Sequence, residues 1–185
     1  IELTIKEVKK NGMHAQGAMA YTVSPVHTLN SWLDLAKQIE DAGADSVAIK
    51  DMAGLLKPNA AFELVSKLKE NISIPIHMQT HATTGFSTAT NMKAIEAGID
   101  NIDTSISSMS MTYGHTATET IVSMFDDTKF FSDIDKDLFP ELSSHFKKIR
   151  KKYELFEGSL KGVDASMLIN QVPGGMLSNL ESQLR

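Results

Sequence analysis

Two rhythms of apolar and polar positions alternate along the first two thirds of the chain. Residues 1–11 (IELTIKEVKKN) place Ile1, Ile5 and Val8 on one helical face, and Gly12 ends the segment. Residues 13–22 (MHAQGAMAYT) are small and apolar, too rich in Gly and Ala for a surface helix, and stop at Ser24-Pro25. They predict a buried strand whose small residues leave room on one face. Residues 28–42 predict a helix capped by Thr28 or Asn30, with Leu29, Trp32, Leu33, Leu35, Ala36 and Ile39 available for burial.

The alternation then continues. Residues 45–50 (DSVAIK) predict a strand, followed by a loop through Gly54 and a helix over about residues 59–70. A third strand at 74–81 (IPIHMQTH) leads through a loop around Gly85 into a helix ending near Ala97. A fourth at 100–106 (DNIDTSI) precedes a helix over 117–125. The dipeptide Ala-Gly marks the same helix-to-strand turn twice, at Ala42-Gly43 and Ala97-Gly98. Strand–helix repetition at this pitch implies an α/β fold with right-handed parallel crossovers. From about Lys129 the rhythm changes: residues 138–155 predict one long helix, and the breaker Pro173-Gly174-Gly175 precedes a last helix ending at Arg185. The expected division is 1–128 for the α/β part and 129–185 for a helical extension.

Composition narrows the class. The 185 residues are 42% apolar and 22% charged with a net charge of -5, so no basic footprint invites nucleic acid. The basic run at 147–152 (KKIRKK) is interrupted by Ile149 and predicts a solvated helix face. There is no cysteine, which excludes disulfides and thiolate metal sites. No apolar run reaches the ~20 residues a membrane span needs, and no signal-peptide pattern opens the chain. A soluble, cytoplasmic protein is expected. The chain starts at Ile1 inside a helical pattern, which predicts a portion of a longer protein.

Candidate chemistry gathers at the ends of the second and third strands. Side chains alternate along a strand, so His77, Gln79 and His81 share one face, with His81 at the carboxyl end where parallel α/β folds place their sites. The pattern fits a polar strand end with hydrogen-bonded histidines, or part of a metal site. Lys50 ends the second strand beside Asp51. It fits a Schiff-base nucleophile, a charge clamp, an anionic metal ligand if carboxylated, or an ion pair with Asp51. The loop 82–87 (ATTGFS) suits reception of an anion, or capping of the next helix by Thr83, Thr84 or Ser87. Residues 107–115 (SSMSMTYGH), with Ser107 and Tyr113, suit the lining of a small-substrate pocket, although Met109 and Met111 fit a core equally well. Taken singly, His14, His27, His115 and His145 read as structural.

Several motifs together resemble the carboxyltransferase barrel of biotin-dependent enzymes. IKDMAGLLKP (49–58) resembles the segment that carries the carboxylated metal-ligand lysine, placing that role on Lys50. PIHMQTHATTG (75–85) resembles the next strand, whose family pattern is His-x-His-x-His. DTSISSMSMTYGH (103–115) and QVPGGMLSNLESQLR (171–185) resemble most closely the alpha-subunit group of the sodium-pumping oxaloacetate decarboxylases, with pyruvate carboxylase and transcarboxylase as close alternatives. AYTVSPVHT (20–28) fits the same group.

The resemblance implies the C-terminal half of a TIM (β/α)8 barrel, about four parallel strands, followed by the start of the family's helical region. It implies a divalent metal (zinc, or cobalt or manganese) at the mouth, and biotin delivered by a separate carrier domain. Carboxyl would pass there from oxaloacetate to biotin, leaving pyruvate. Lys50 and His81 match two family metal ligands. Thr84, Ser107 and Tyr113 fall where the substrate or biotin pocket is expected. Expected partners are a second copy of the chain and other pump subunits. Gln79 stands where the family has its other metal-binding His, and an amide oxygen is the weaker ligand, so affinity is expected to fall about tenfold or more. His77 lies one pleat deeper, roughly 7 Å away, and is a poor replacement. The family's first four strands, with an aspartate ligand and substrate-holding arginine and glutamine, are expected outside this chain, as is a proton-shuttling threonine beyond Arg185. Metal-dependent aldolase and acyltransferase barrels share paired strand-end histidines but lack the lysine motif. A catalytically inert half-barrel with an assembly role is the non-enzymatic alternative.

Overall fold

A computed structural model of the chain describes residues 1–184. Helix α1 (Glu2–Lys10) leads into β1 (Gln16–Ala20), α2 (Leu29–Asp41), β2 (Ser46–Asp51), α3 (Pro58–Asn71), β3 (Ile76–Thr80), α4 (Ser87–Glu96), β4 (Asn101–Ile102) and α5 (Thr118–Met124). The four strands form one sheet in the order β1-β2-β3-β4, every pair parallel. This is the expected α/β architecture, with half the strands of an eight-stranded barrel.

The alternation of side chains decides which face of the sheet is dry. Val47 and Ile49 on β2, Ile76 and Met78 on β3, and Met19 on β1 are buried against the helices. Trp32, Ala36 and Ile39 of α2 and Ala61, Leu64, Val65 and Leu68 of α3 complete that core. Burying each large aliphatic side chain contributes roughly 1.5–3 kcal/mol relative to leaving it in water. The small residues of β1 do leave room, and on this same face: a Cβ on Gly17 would collide with Ile39 Cγ2. The opposite face carries Gln16, Ala18, Ala20, Lys50, His77 and Gln79, all exposed or half-buried, together with the buried Ser46 and Ala48. In a closed barrel that is the lumen side.

The predicted turns are present for a physical reason. Gly43 and Gly98 both sit at φ +89, a left-handed conformation that ends α2 and α4 and feeds the next strand. Thr28 caps α2, its hydroxyl accepting from the Ser31 amide.

Three boundaries differ from the sequence expectation. The fourth strand is two residues long rather than seven. It is an outer strand paired with β3, and beyond it, among the described residues, an isolated bridge joins Ser105 to Ala117. The long helix predicted over 138–155 is divided: a 3-10 turn (Lys136–Leu138), α6 (Phe139–Lys152) and a second 3-10 turn (Glu154–Phe156). A short helix, α7 (Met167–Asn170), was not expected, and the last helix, α8, runs Gly174–Leu184 from directly after Pro173. The predicted terminus of that helix at Arg185 lies outside the described residues.

The helical extension docks on loops at the carboxyl ends of the strands. The Asp164 amide donates to the Thr83 carbonyl (2.8 Å), and the Thr22 hydroxyl donates to Gln171 Oε1 (3.3 Å). The basic run behaves as expected at its four lysines, which are exposed. Arg150, by contrast, pairs with Glu157 and donates to the Ser108 carbonyl, pinning α6 to the loop after β4. None of the described helices is long and apolar enough to cross a membrane.

Candidate active site

Strand register brings the candidates together. Ala20 is opposite Lys50, and Lys50 is opposite Gln79, so the three lie side by side on the open face near the carboxyl end of the sheet. Lys50 is exposed and forms no ion pair among the described residues.

Asp51 does not pair with Lys50, because alternation turns it to the opposite, dry face. Its carboxylate accepts from the Leu55 amide (2.8 Å), the Leu56 amide (2.9 Å) and the Thr80 hydroxyl (2.9 Å). Burial nonetheless pushes its pKa above the ordinary carboxylate value, the three hydrogen bonds and His81 opposing that rise. Asp51 therefore shapes the loop after β2 and frees Lys50 from the competing ion pair.

His81 follows β3 by one residue and is fixed at two points. Its amide donates to the Asp51 carbonyl (3.0 Å), and its Nδ1 lies 2.6 Å from the Tyr113 carbonyl. A carbonyl only accepts, so Nδ1 carries a proton, and in the neutral ring the lone pair is on Nε2. Gly54 makes the fit possible. It sits at φ +68, and a Cβ there would lie 2.6 Å from the His81 carbonyl oxygen. The Thr84 hydroxyl donates to the Gly54 carbonyl and the Thr83 hydroxyl to the Thr112 carbonyl, so both hydroxyls tie neighbouring loops together rather than capping α4.

His115, read from sequence as structural, stands edge-on to His81 with ring centroids 4.9 Å apart. Burial, and then the proximity of His81, lowers its pKa, against a smaller pull from Asp103. Its Nε2 is buried without a hydrogen-bond partner. A Gly-His pair closing a strand-end loop was the only sequence signal for it.

His77 is committed elsewhere. Its Nε2 bonds Asp103 Oδ1 (2.7 Å), and its Nδ1 lies 3.3 Å from Gln16 Nε2. Gln16 Nε2 also donates to Ser46 Oγ (3.1 Å), which contacts His14 Nε2 (2.8 Å). This polar row crosses the lumen face one pleat below Gln79. Ser107 opens a 3-10 turn after β4, its hydroxyl paired with Ser143 Oγ (2.9 Å). The Tyr113 hydroxyl accepts from the Leu160 amide (3.0 Å). A cavity of about 450 Å³ lined by Ile102, Ile121, Phe125 and Phe130 lies beside β4 and contains none of these candidates.

The donor set fits a metal in part. An imidazole with its Nδ1 proton bound to a carbonyl presents Nε2 as metal-binding histidines do. Lys50 and Gln79 are paired across β2 and β3, Gln79 two residues before His81 in the chain. No group of three or more His, Asp or Glu side chains suited to a metal occurs among the described residues, so a full coordination shell needs donors from elsewhere.

A parallel α/β half-barrel with functional groups at the carboxyl ends of its strands is the class the fold defines. Residues 1–145 match the HMGL-like family, and the chain belongs to it. Among similar proteins, the methylmalonyl-CoA carboxyltransferase 5S subunit of Propionibacterium freudenreichii subsp. shermanii is 48% identical over 180 residues, covering 96% of this chain and 35% of that protein. A pyruvate carboxylase subunit of Methanocaldococcus jannaschii is 48% identical over 186 residues, covering 100% and 33%. The chain thus spans about a third of the length of these relatives. The carboxyl transferase domain of Rhizobium etli pyruvate carboxylase, solved with pyruvate and biocytin, superimposes with a TM-score of 0.95 at 32% identity, covering 100% of this chain and 32% of that one.

Proposed function

We propose that the chain forms the lysine–histidine side of the active site of a biotin-dependent carboxyltransferase. The preferred reaction is decarboxylation of oxaloacetate to pyruvate with transfer of the carboxyl group to biotin. The observation that carries this reading is the juxtaposition of Lys50 and Gln79 across β2 and β3, with His81 beyond them offering Nε2. Relatives named for carboxyl transfer, and a neighbour solved with pyruvate and biocytin, support the reaction class.

Lys50, as a carbamate, would hold a divalent cation through an anionic oxygen, His81 through Nε2, and Gln79 through its amide oxygen. A bound cation supplies a Lewis acid for the keto oxygen of the substrate. Thr84, Ser107 and Tyr113 would wall the substrate and biotin pocket, with their hydroxyls engaged as described. The α/β part, residues 1–128, would carry the chemistry and residues 129–185 would cover the mouth. A biotin carrier domain and a second copy of the chain are the proposed partners.

A second reading, pyruvate carboxylation or transcarboxylation at the same site, is favoured by the relatives named for those reactions. A third, an inert half-barrel used in assembly, is favoured by Gln79 and the incomplete donor set.

Metal content and native intact mass of the full-length protein, compared with its Gln79→His variant, test the proposal. Stoichiometric metal and a gain of about 44 Da lost on Lys50→Ala support a working site. Metal in the His variant alone marks a crippled carboxyltransferase, and metal in neither withdraws the catalytic reading.

A further inference from the structure

Tyr113 is engaged at both of its ends. Its main-chain carbonyl holds the His81 imidazole by Nδ1 at 2.6 Å. Its hydroxyl reaches the carboxylate of Glu181, on α8, at 3.3 and 3.4 Å, while accepting from the Leu160 amide at 3.0 Å. The same carboxylate accepts from the Ser159 amide (2.7 Å) and the Ser159 hydroxyl (2.5 Å). One residue of the helical extension therefore gathers the 158–160 loop and the loop after β4 at a single point.

Two features show that this point is built for close approach. A Cβ on Gly158 would lie 2.6 Å from the Tyr113 hydroxyl oxygen and 2.7 Å from Glu181 Oε2, so a side chain there separates the two partners. The segment entering Tyr113 is strained: Met111 and Thr112 both adopt left-handed backbone, at φ 64 and 54. Such residues persist only where their surroundings over-determine them. The Met111 amide donates to the His115 carbonyl (2.7 Å) and the Ala82 amide to the Gly114 carbonyl (2.8 Å), which ties the strained loop to the chain just past His81.

We infer that Glu181 is a positioning residue for His81, acting through Tyr113. The last helix of the extension holds the Tyr113 ring, the ring holds its own carbonyl, and the carbonyl fixes the imidazole in the Nδ1–H tautomer. Partners of this kind orient metal-binding histidines, and their loss costs about 10–100-fold in metal affinity. The effect on metal rests on the proposed role of His81, whereas the orientation of the ring does not.

The test uses full-length protein labelled with 15N-histidine, with the His81 signals assigned by their absence from a His81→Asn variant. Tautomer is read in metal-free protein at fixed pH, and zinc affinity is measured by titration of zinc alone. The wild type is expected to show a single Nδ1–H tautomer at His81. Glu181→Ala, Tyr113→Phe and Gly158→Ala are each expected to give mixed tautomers and zinc binding weakened about tenfold or more. Glu181→Gln, which keeps one acceptor oxygen, should recover part of both. A merely structural anchor would lower the unfolding temperature and leave the His81 signals unchanged. Unchanged tautomer in folded Gly158→Ala and Tyr113→Phe overturns the inference, whatever Glu181→Ala does to folding. If neither wild type nor Gln79→His binds zinc but the tautomer still shifts, the metal reading falls and the positioning role stands.

Discussion

Asp51 is the residue whose removal should do most damage for its size. Its side chain is fully buried and satisfies three donors, the Leu55 and Leu56 amides and the Thr80 hydroxyl. Asp51→Ala orphans all three in a dry core, at about 1–3 kcal/mol each, so an overall loss of about 3–9 kcal/mol is expected. Asp51→Asn separates the contributions. Its remaining oxygen still serves one amide, and the Thr80 hydroxyl can turn to accept from the new NH2, which leaves one backbone N–H unpaired and a loss of about 1–3 kcal/mol. The pH dependence has a definite sign. Burial holds the folded-state pKa above the unfolded one, so between the two values the folded state binds more protons and stability falls as pH rises. Asn removes that slope. Urea unfolding of the full-length protein at several pH values measures both effects. Equal losses for Ala and Asn, or an Ala variant within about 0.5 kcal/mol of wild type, would refute the assignment of Asp51 as the acceptor that builds this loop.

Two further outcomes follow from the same loops and their supports. Gly54→Ala places a Cβ at positive φ against the His81 carbonyl, and a loss of about 2–4 kcal/mol with displacement of His81 is expected, read by thermal unfolding and the His81 NMR signals. Glu40 is held at about 2, below the ordinary 4.5, by Lys37 and then by the Ser73 hydroxyl and amide. Its folded pKa is depressed, so its contribution is present above pH 4.5 and is lost as pH falls toward 2. Acid titration of stability should be steeper for wild type than for Glu40→Gln, and identical curves would show that these contacts do not form in solution.

The sequence by itself determined the order and type of the main elements, because each carries its own period: Trp32, Ala36 and Ile39 recur at helical spacing, while His77 and Gln79 alternate with Met78 and Thr80. It also put His77 and Gln79 on one face of the third strand and Lys50 at the end of the second, since alternation and chain order are enough for that, whereas the pairing of Lys50 with Gln79 came from the register of β2 against β3. The tertiary structure alone decided what those residues touch. That Asp51 binds Thr80, that His77 is bound to Asp103, and that His115 stands against His81 depend on how segments far apart in the chain are brought together. The length of β4 was illegible for the same reason, since a strand ends where its neighbour does. Glu181 lies inside a motif that marks the family but carries no local sign of its contact: its role appears only when folding brings it to Tyr113, 68 residues earlier in the chain.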